Sequence, residues 1–341
     1  MKERLKKALK YILKVCAVIL AAALLEVFFV RPFHHLPKTD SDFTASRDYS
    51  LENAIEPVPD EYLQPVENGG RIEEFNYKTE TTEKRAIIYL PPGYDENKKY
   101  DIIYFQGGAN STETSYFGTP KKPKPKLINV LDNLIIKGKI KPVIAVCANF
   151  YNKSRSDTDI TELSNLYQSY SSEVRKCLIP AIESVYSTYA ESVSDEDIVA
   201  SRGHRGFGGY SMGAAITWNM FINNLDCFYY YMPNCGGLQN PYVPHLSTNL
   251  GERLNNAVES MGYTTDDYFI YSAVGTLDIT YNSTKCLITN LYKDYDKNFI
   301  FTQDNTKNGN ITFKRSLFKL HSFDNAITNF YNALPALFPA E

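Results

Sequence analysis

Histidine is scarce in this sequence, with five residues in 341, at positions 34, 35, 204, 245 and 321, so chemistry that needs an imidazole has few places to occur. Cysteine is nearly as rare. Outside Cys16 there are five, at 147, 177, 227, 235 and 286, an odd number without metal-ligand spacing. That pattern excludes a zinc module and a full disulfide framework; a Cys227–Cys235 pair stays open, and free buried thiols are expected for most. Neither sign of charge dominates: 36 Lys and Arg stand against 39 Asp and Glu, for a net charge of −3. With no basic cluster beyond the N-terminus, a nucleic-acid or polyanion partner is not expected. Internal repeats, low-complexity tracts, zinc motifs and nucleotide-binding loops are absent, and no cofactor or metal is expected.

Long apolar runs are confined to the N-terminus. Met1 to Lys10 is basic, and Tyr11 to Val30 is mostly apolar, ending at Arg31-Pro32. Twenty helical residues span about 30 Å, the hydrocarbon thickness of a bilayer. The small residues Ala21-Ala22-Ala23 that a cleavage site would need fall in the middle of the run, and Leu24 to Val30 continue past them. The expectation is an uncleaved signal-anchor with its basic end inside and the rest of the chain extracytoplasmic; a cleaved export signal is the alternative. Lys14 and Glu26 weaken the span. From about Pro37 to Gly70 the sequence is polar and reads as a tether. The organisation expected is therefore 1–36 as basic N-terminus and anchor or signal helix, 37–69 as extracytoplasmic linker, and 70–341 as one catalytic domain, large enough for a sizeable core. Strand-like and helix-like segments alternate from about residue 85, which predicts an α/β fold with a mostly parallel central sheet and helices on both faces.

The residues that carry chemistry centre on Gly209-Tyr210-Ser211-Met212-Gly213, a G-x-S-x-G pattern. The run before it, Gly206 to Tyr210, is short, apolar and rich in glycine, as a buried strand entering a tight turn should be. Ala214 to Phe221 can run as a helix. Such a strand–turn–helix holds a serine in a strained backbone conformation, and Gly209 and Gly213 leave room for the packed strand and helix. Chance produces the pattern often enough that it does not stand alone. Chain order supplies the support. The α/β-hydrolase order is serine, acid, histidine, the last two on loops after later strands. Only His245 and His321 follow Ser211, and His245 sits in the proline-rich Pro241–His245, with no suitable acid ahead of it. His321 is left as the base. Between the two, the strand-like Tyr268 to Val274 runs into Gly275-Thr276-Leu277-Asp278, which makes Asp278 the natural acid. His204, seven residues before Ser211, reads as structural.

An acyl-transfer serine also needs donors for the developing oxyanion. Tyr100 to Phe105 reads as a buried strand, followed at once by Gln106-Gly107-Gly108. The backbone N–H groups of Met212 and Gly108 are the expected donors.

Several segments together resemble the feruloyl and acetyl-xylan esterases of the first carbohydrate esterase family, the esterase D-like branch of the α/β-hydrolases. They are Val58 to Tyr62 entering the domain, Ile88 to Tyr94, Lys99 to Tyr104 with its Gly-Gly loop, Leu178 to Tyr186, His204 to Gly213, Tyr231-Met232-Pro233, Gly275 to Asp278, and the tail Asn329 to Phe338. The resemblance covers roughly residues 55 to 338. It implies the same Ser211, Asp278 and His321 roles, and a substrate in which an acyl group is esterified to a plant-type polysaccharide or its oligosaccharides. Three departures bear on the acyl pocket, for which Gln106, Gly107, Tyr210, Cys235 and Phe323 are the expected residues. Gln106 stands where the family usually has histidine. Asn234-Cys235-Gly236-Gly237 replaces a Ser-Gly after Met-Pro. Around His321, Leu320 and Ser322-Phe323 replace a preceding glycine and following tryptophans, which thins the aromatic lining. The expected function is an extracytoplasmic serine esterase acting on feruloyl or acetyl esters. An acyltransferase or another ester or thioester hydrolase of the same fold is the first alternative, and a non-catalytic glycan-binding relative the second.

Overall fold

In a computed structural model, residues 12–21, 24, 55–109, 111–151, 166, 169–237, 247–302 and 308–340 are described. Eight strands form one sheet: β1 (Arg71–Lys78), β2 (Glu83–Leu90), β3 (Asp101–Gln106), β4 (Val143–Ala148), β5 (Arg205–Tyr210), β6 (Tyr230–Asn234), β7 (Phe269–Gly275) and β8 (Ile311–Ser316), in the spatial order β1-β2-β4-β3-β5-β6-β7-β8. The pairs from β4 to β8 are parallel, whereas β1–β2 and β2–β4 are antiparallel. Strands β3, β4 and β7 are buried at every residue. That is the condition of parallel strands covered on both faces, and it explains why Ile-Ile-Tyr-Phe and Val-Ile-Ala-Val-Cys read as continuous apolar runs rather than alternating ones.

The two covering layers separate cleanly. Helices α1 (Lys126–Ile136) and α5 (Phe323–Leu337) bury Leu127, Leu131, Phe330 and Leu334 on one face, while α2 (Met212–Asn223), α3 (Ser247–Met261) and α4 (Tyr281–Asp294) bury Trp218, Phe221, Leu254 and Leu291 on the other. Chain order along the sheet reverses at β3, which has β4 on one side and β5 on the other. In an open α/β sheet, the loops leaving the carboxyl ends of the two strands at such a reversal open a crevice between them. Here those loops are Gly107-Gly108 and Ser211.

The amino end of β5 is pinned by a buried charge cluster. Arg205 pairs with Glu183 through Nε–Oε1 at 2.7 Å and Nη2–Oε2 at 2.8 Å, and also donates to the carbonyls of Ile198 and Cys227. Tyr104 and Thr188 hydroxyls donate to the same carboxylate. The clamp fixes the strand that delivers Ser211. His204, just before it, pairs through Nδ1 with Asp101 at 2.7 Å and stacks on Tyr189, at the strand end remote from Ser211.

One sequence expectation changes, and one pairing left open is decided. Residues 55–69, expected within the linker, pack on the domain: Asp60–Leu63 forms a 3₁₀ turn, Tyr62 is buried, and the Asn129 and Asn133 amides of α1 donate to the carbonyls of Leu63, Tyr62 and Gln64. The segment is held by these amides and by Ile55, Val58 and Leu63 packed on the apolar core, a tertiary fit that composition does not reveal. Cys227 and Cys235 are both free and lie on either side of β6, whose five residues at ~3.3 Å each keep them roughly 16 Å apart, beyond disulfide reach. The membrane-spanning helix finds no support: among the described residues no helix is long and apolar enough to cross a membrane. Residues 12–21 are helical, and the rest of the expected span lies outside the described residues, as does His245.

Candidate active site

Ser211 sits at the junction between β5 and α2 with φ 60° and ψ −117°, a conformation that costs a non-glycine residue about 1–3 kcal/mol. The turn is held from both sides: the Ser211 N–H donates to the Asn234 carbonyl at 3.0 Å, and the Ser211 carbonyl accepts from Ala214 N at 3.0 Å. The glycine at 213 is required by close approach, since a Cβ there would lie 2.0 Å from the Gln106 carbonyl oxygen and 2.9 Å from that of Gly107. One at 209 would meet Gly213 backbone at 2.5 Å.

His321 reaches this serine from the loop between β8 and α5. Its Nε2 lies 2.9 Å from Ser211 Oγ, and its Nδ1 is 2.9 Å from both carboxylate oxygens of Asp278. Asp278 follows β7, is fully buried, and is tied down by Thr280, whose backbone N–H at 2.7 Å and hydroxyl at 2.6 Å both donate to Oδ1. The loops that carry Asp278 and His321 are stitched together. Thr276 N donates to Ser316 O, Leu277 N to Lys319 O, and Phe318 N to Thr276 Oγ1. A Cβ on Gly275 would lie 2.2 Å from the Lys319 carbonyl, so the glycine is what lets the two loops touch. The His321 side chain keeps 19 % exposure, enough to meet a molecule arriving from solvent.

Of the two backbone positions expected to face an oxyanion, Met212 is the first residue of α2, and Gly108 lies against Ser211, its Cβ position 3.4 Å from Ser211 Cβ.

The expected pocket residues divide. Tyr210 and Phe323 are partly exposed beside the imidazole: the Tyr210 ring stacks on His321 at 4.8 Å, and Phe323 lies 6.4 Å from Tyr210 and stacks on Tyr116 at 4.3 Å. Gln106, Gly107 and Cys235 are buried, as is Gly108. Gln106 ends β3 on its covered face, and Cys235 lies behind the acid instead. Burial pushes the Tyr210 hydroxyl and the Cys235 thiol up from their ordinary values, with Asp278 adding to both.

Two residues near the serine escaped the sequence reading. Tyr116 supplies the shelf under Phe323. Tyr151 donates its hydroxyl to the Ala109 carbonyl at 2.9 Å and touches Met212 Sδ at 3.4 Å. The available signal for Tyr151 was its position just past the carboxyl end of β4, beside the crevice.

With this geometry in hand, comparison with known proteins is informative. A family model described as putative esterase matches residues 79–275, a span that holds Ser211 and ends just before the acid loop. Endo-1,4-beta-xylanase Y of Acetivibrio thermocellus is 35% identical over 295 residues, 86% of this chain and 26% of its own length. An endo-1,4-beta-xylanase/feruloyl esterase of Xylanibacter ruminicola is 29% identical over 51% of this chain and 23% of its own length. The chain thus spans about a quarter of the length of these curated relatives. Among solved structures, a serine-to-alanine mutant of the feruloyl esterase module from Clostridium thermocellum, complexed with sinapinate, is 33% identical. It superposes with a TM-score of 0.72, over 84% of this chain and 94% of that one. A ferulic acid esterase from Anaeromyces mucronatus, 18% identical with a TM-score of 0.58 over 81% of this chain and 94% of its own, shares the fold.

Proposed function

Since the chain belongs to the putative esterase family, we propose that it is a serine carboxylic-ester hydrolase that removes hydroxycinnamoyl groups, feruloyl above all, from a xylan-type polysaccharide or its oligosaccharides. The observation that carries the chemistry is the continuous hydrogen-bond relay Ser211–His321–Asp278 at the head of β5.

In this reading Ser211 Oγ attacks the ester carbonyl carbon as its proton passes to His321 Nε2. Asp278 keeps the Nδ1–H tautomer in place and stabilises the imidazolium. The carbonyl oxygen gains its negative charge against the N–H groups of Met212 and Gly108. Collapse of the tetrahedral species breaks the bond to the sugar oxygen, which takes the proton from His321, and leaves the acyl group on Ser211. A water molecule then gives its proton to His321, adds to the acyl carbon, and releases the carboxylic acid and free serine.

The aromatic acyl group is supported by the Tyr210 and Phe323 rings beside the imidazole, which offer a planar apolar face, and by the sinapinate held by the related module. The polymeric substrate and the basic, apolar N-terminal stretch support action outside the cytoplasm. Hydrolysis of methyl ferulate, compared with an acetyl ester, tests the reading. The wild-type protein should turn over the ferulate ester, and Ser211→Ala should lose at least about 10³-fold in kcat. No hydrolysis of any ester, or undiminished turnover in the variant, would overturn it.

A further inference from the structure

Three neighbouring strand ends meet at one hydroxyl, that of Tyr151, which takes no part in the esterase steps. Strands β4, β3 and β5 lie side by side and parallel, and the chain leaving their carboxyl ends carries Tyr151, Ala109 and Met212 in turn. The Tyr151 hydroxyl lies 2.9 Å from the Ala109 carbonyl oxygen and 3.4 Å from Met212 Sδ. It thus reaches the neighbour of one expected oxyanion donor, Gly108, and the side chain of the other. Its own side is firmly seated: the ring is buried and packs on Phe150 at 3.9 Å, and the Tyr151 N–H donates to Asn149 Oδ1 at 3.0 Å.

The two expected donors are held differently. The Met212 N–H belongs to the first turn of α2, where no intrahelical carbonyl claims it. The elbow around it is fixed by the bonds from Ser211 N to the Asn234 carbonyl and from Ala214 N to the Ser211 carbonyl. Gly108 stands instead in the turn after β3, which is closed by Ser111 N donating to the Gly108 carbonyl at 3.0 Å. Closing a turn sets its shape, not its place relative to the elbow. The Tyr151 hydroxyl supplies that placement: its single proton goes to the Ala109 carbonyl, the stronger acceptor, while its oxygen rests against the Met212 sulfur.

We propose that Tyr151 is a positioning residue for the oxyanion hole: its hydroxyl holds the Gly108–Ser111 turn against Met212, so that the two N–H groups converge where the carbonyl oxygen gains charge. The proposal rests on the esterase reading of the site. It assigns a purpose to a buried hydroxyl where phenylalanine would fill the same space, because a ring alone gives Ala109 no donor. Donors to an oxyanion act through their placement. A hole loosened by about half an ångström keeps its contacts with the planar ester and loses its advantage in the transition state.

The test is Tyr151→Phe. On methyl ferulate, kcat should fall about ten-fold with KM within about two-fold, a smaller loss than the roughly 10²–10³-fold that removing a whole donor brings. Styrylboronic acid, whose tetrahedral adduct on Ser211 directs an oxygen at the hole, should bind about ten-fold more weakly. Ferulate, the planar product acid, should bind within about two-fold of wild type. Should the variant not fold, replacement of Tyr151 by 4-fluorophenylalanine, close in shape and without a donor, takes its place. Unchanged kcat and boronate affinity would mean that the tyrosine only packs, and equal weakening of boronate and ferulate that it only lines the pocket; either result would overturn the proposal. Hydrogen exchange of the Gly108 amide, followed by NMR in the resting protein, needs no turnover and should quicken about ten-fold in the donor-free variant. A wild-type protein that hydrolyses no ester would sink the esterase reading, and the Gly108 exchange would still decide the tether, which an unmoved rate overturns.

Discussion

Replacing Asp278 by asparagine changes one oxygen for an amide nitrogen in a fully buried site and adds no volume. Its consequence follows from the contacts of the carboxylate. Thr280 presents two donors to Oδ1, at 2.7 and 2.6 Å. An asparagine therefore turns its carbonyl oxygen toward Thr280 and its NH₂ group toward His321, because the reverse would set donor against donor twice. Nδ1 of His321 must then accept, the proton moves to Nε2, and Nε2–H donates to Ser211 Oγ where it previously accepted. The hydrogen bond survives at about its present length of 2.9 Å, but the imidazole can no longer take the serine proton. The expected loss in kcat is about 10⁴-fold, the scale a wrong-tautomer histidine brings to serine-hydrolase triads, equivalent to about 5.5 kcal/mol of barrier. The melting temperature should hardly move, since packing and the count of hydrogen bonds are kept. The assay is steady-state hydrolysis of methyl ferulate alongside thermal denaturation. Activity within about ten-fold of wild type in a folded variant would refute the assignment of Asp278 as the residue that fixes the tautomer.

Other outcomes follow from contacts already described. Gly213→Ala places a methyl 2.0 Å from the Gln106 carbonyl, a backbone atom that cannot yield alone. The turn should shift, with a loss of about 1–3 kcal/mol in denaturant unfolding and a drop in kcat far exceeding any change in KM. Arg205→Ala leaves Glu183 charged and buried, and should cost about 3–5 kcal/mol, read as a fall of roughly 10 °C in melting temperature. Phe323→Ala removes an aromatic ring beside Tyr210, which itself stacks on His321, and should raise KM for methyl ferulate about five-fold while leaving an acetyl ester within about two-fold.

The parts of this molecule written in local backbone chemistry were legible without coordinates. The expected strand ahead of Ser211 and helix after it correspond to β5 and α2, and the apolar runs before Gln106 and Gly275 correspond to β3 and β7. A tight turn demands particular residue types at fixed offsets, and so leaves a trace in the sequence. Chain order then singled out His321 and Asp278, and the structure places His321 between Asp278 and Ser211, in hydrogen-bond reach of both. What was not legible depends on tertiary packing. Cys235 was expected at a pocket wall and stands behind the acid, because the left-handed turn after β6 swings its side chain inward. Tyr116, in a short helical turn (Thr114–Phe117) after β3, and Tyr151, just past the end of β4, carry no motif of their own. Residues 55–69 resembled a tether because their few apolar residues, Ile55, Val58, Tyr62 and Leu63, show no strand or helix period, and their packing on the core and on the Asn129, Asn133 and Asn332 side chains is tertiary.

The central claim is that Ser211 carries the acyl group between the ester and water. Mass spectrometry of the protein quenched during turnover of a feruloyl ester addresses it directly. The peptide containing Ser211 should carry one feruloyl adduct, absent in Ser211→Ala and accumulating further in a variant slowed at the water step. An adduct on any other residue, or ester turnover that persists in Ser211→Ala, would contradict the account.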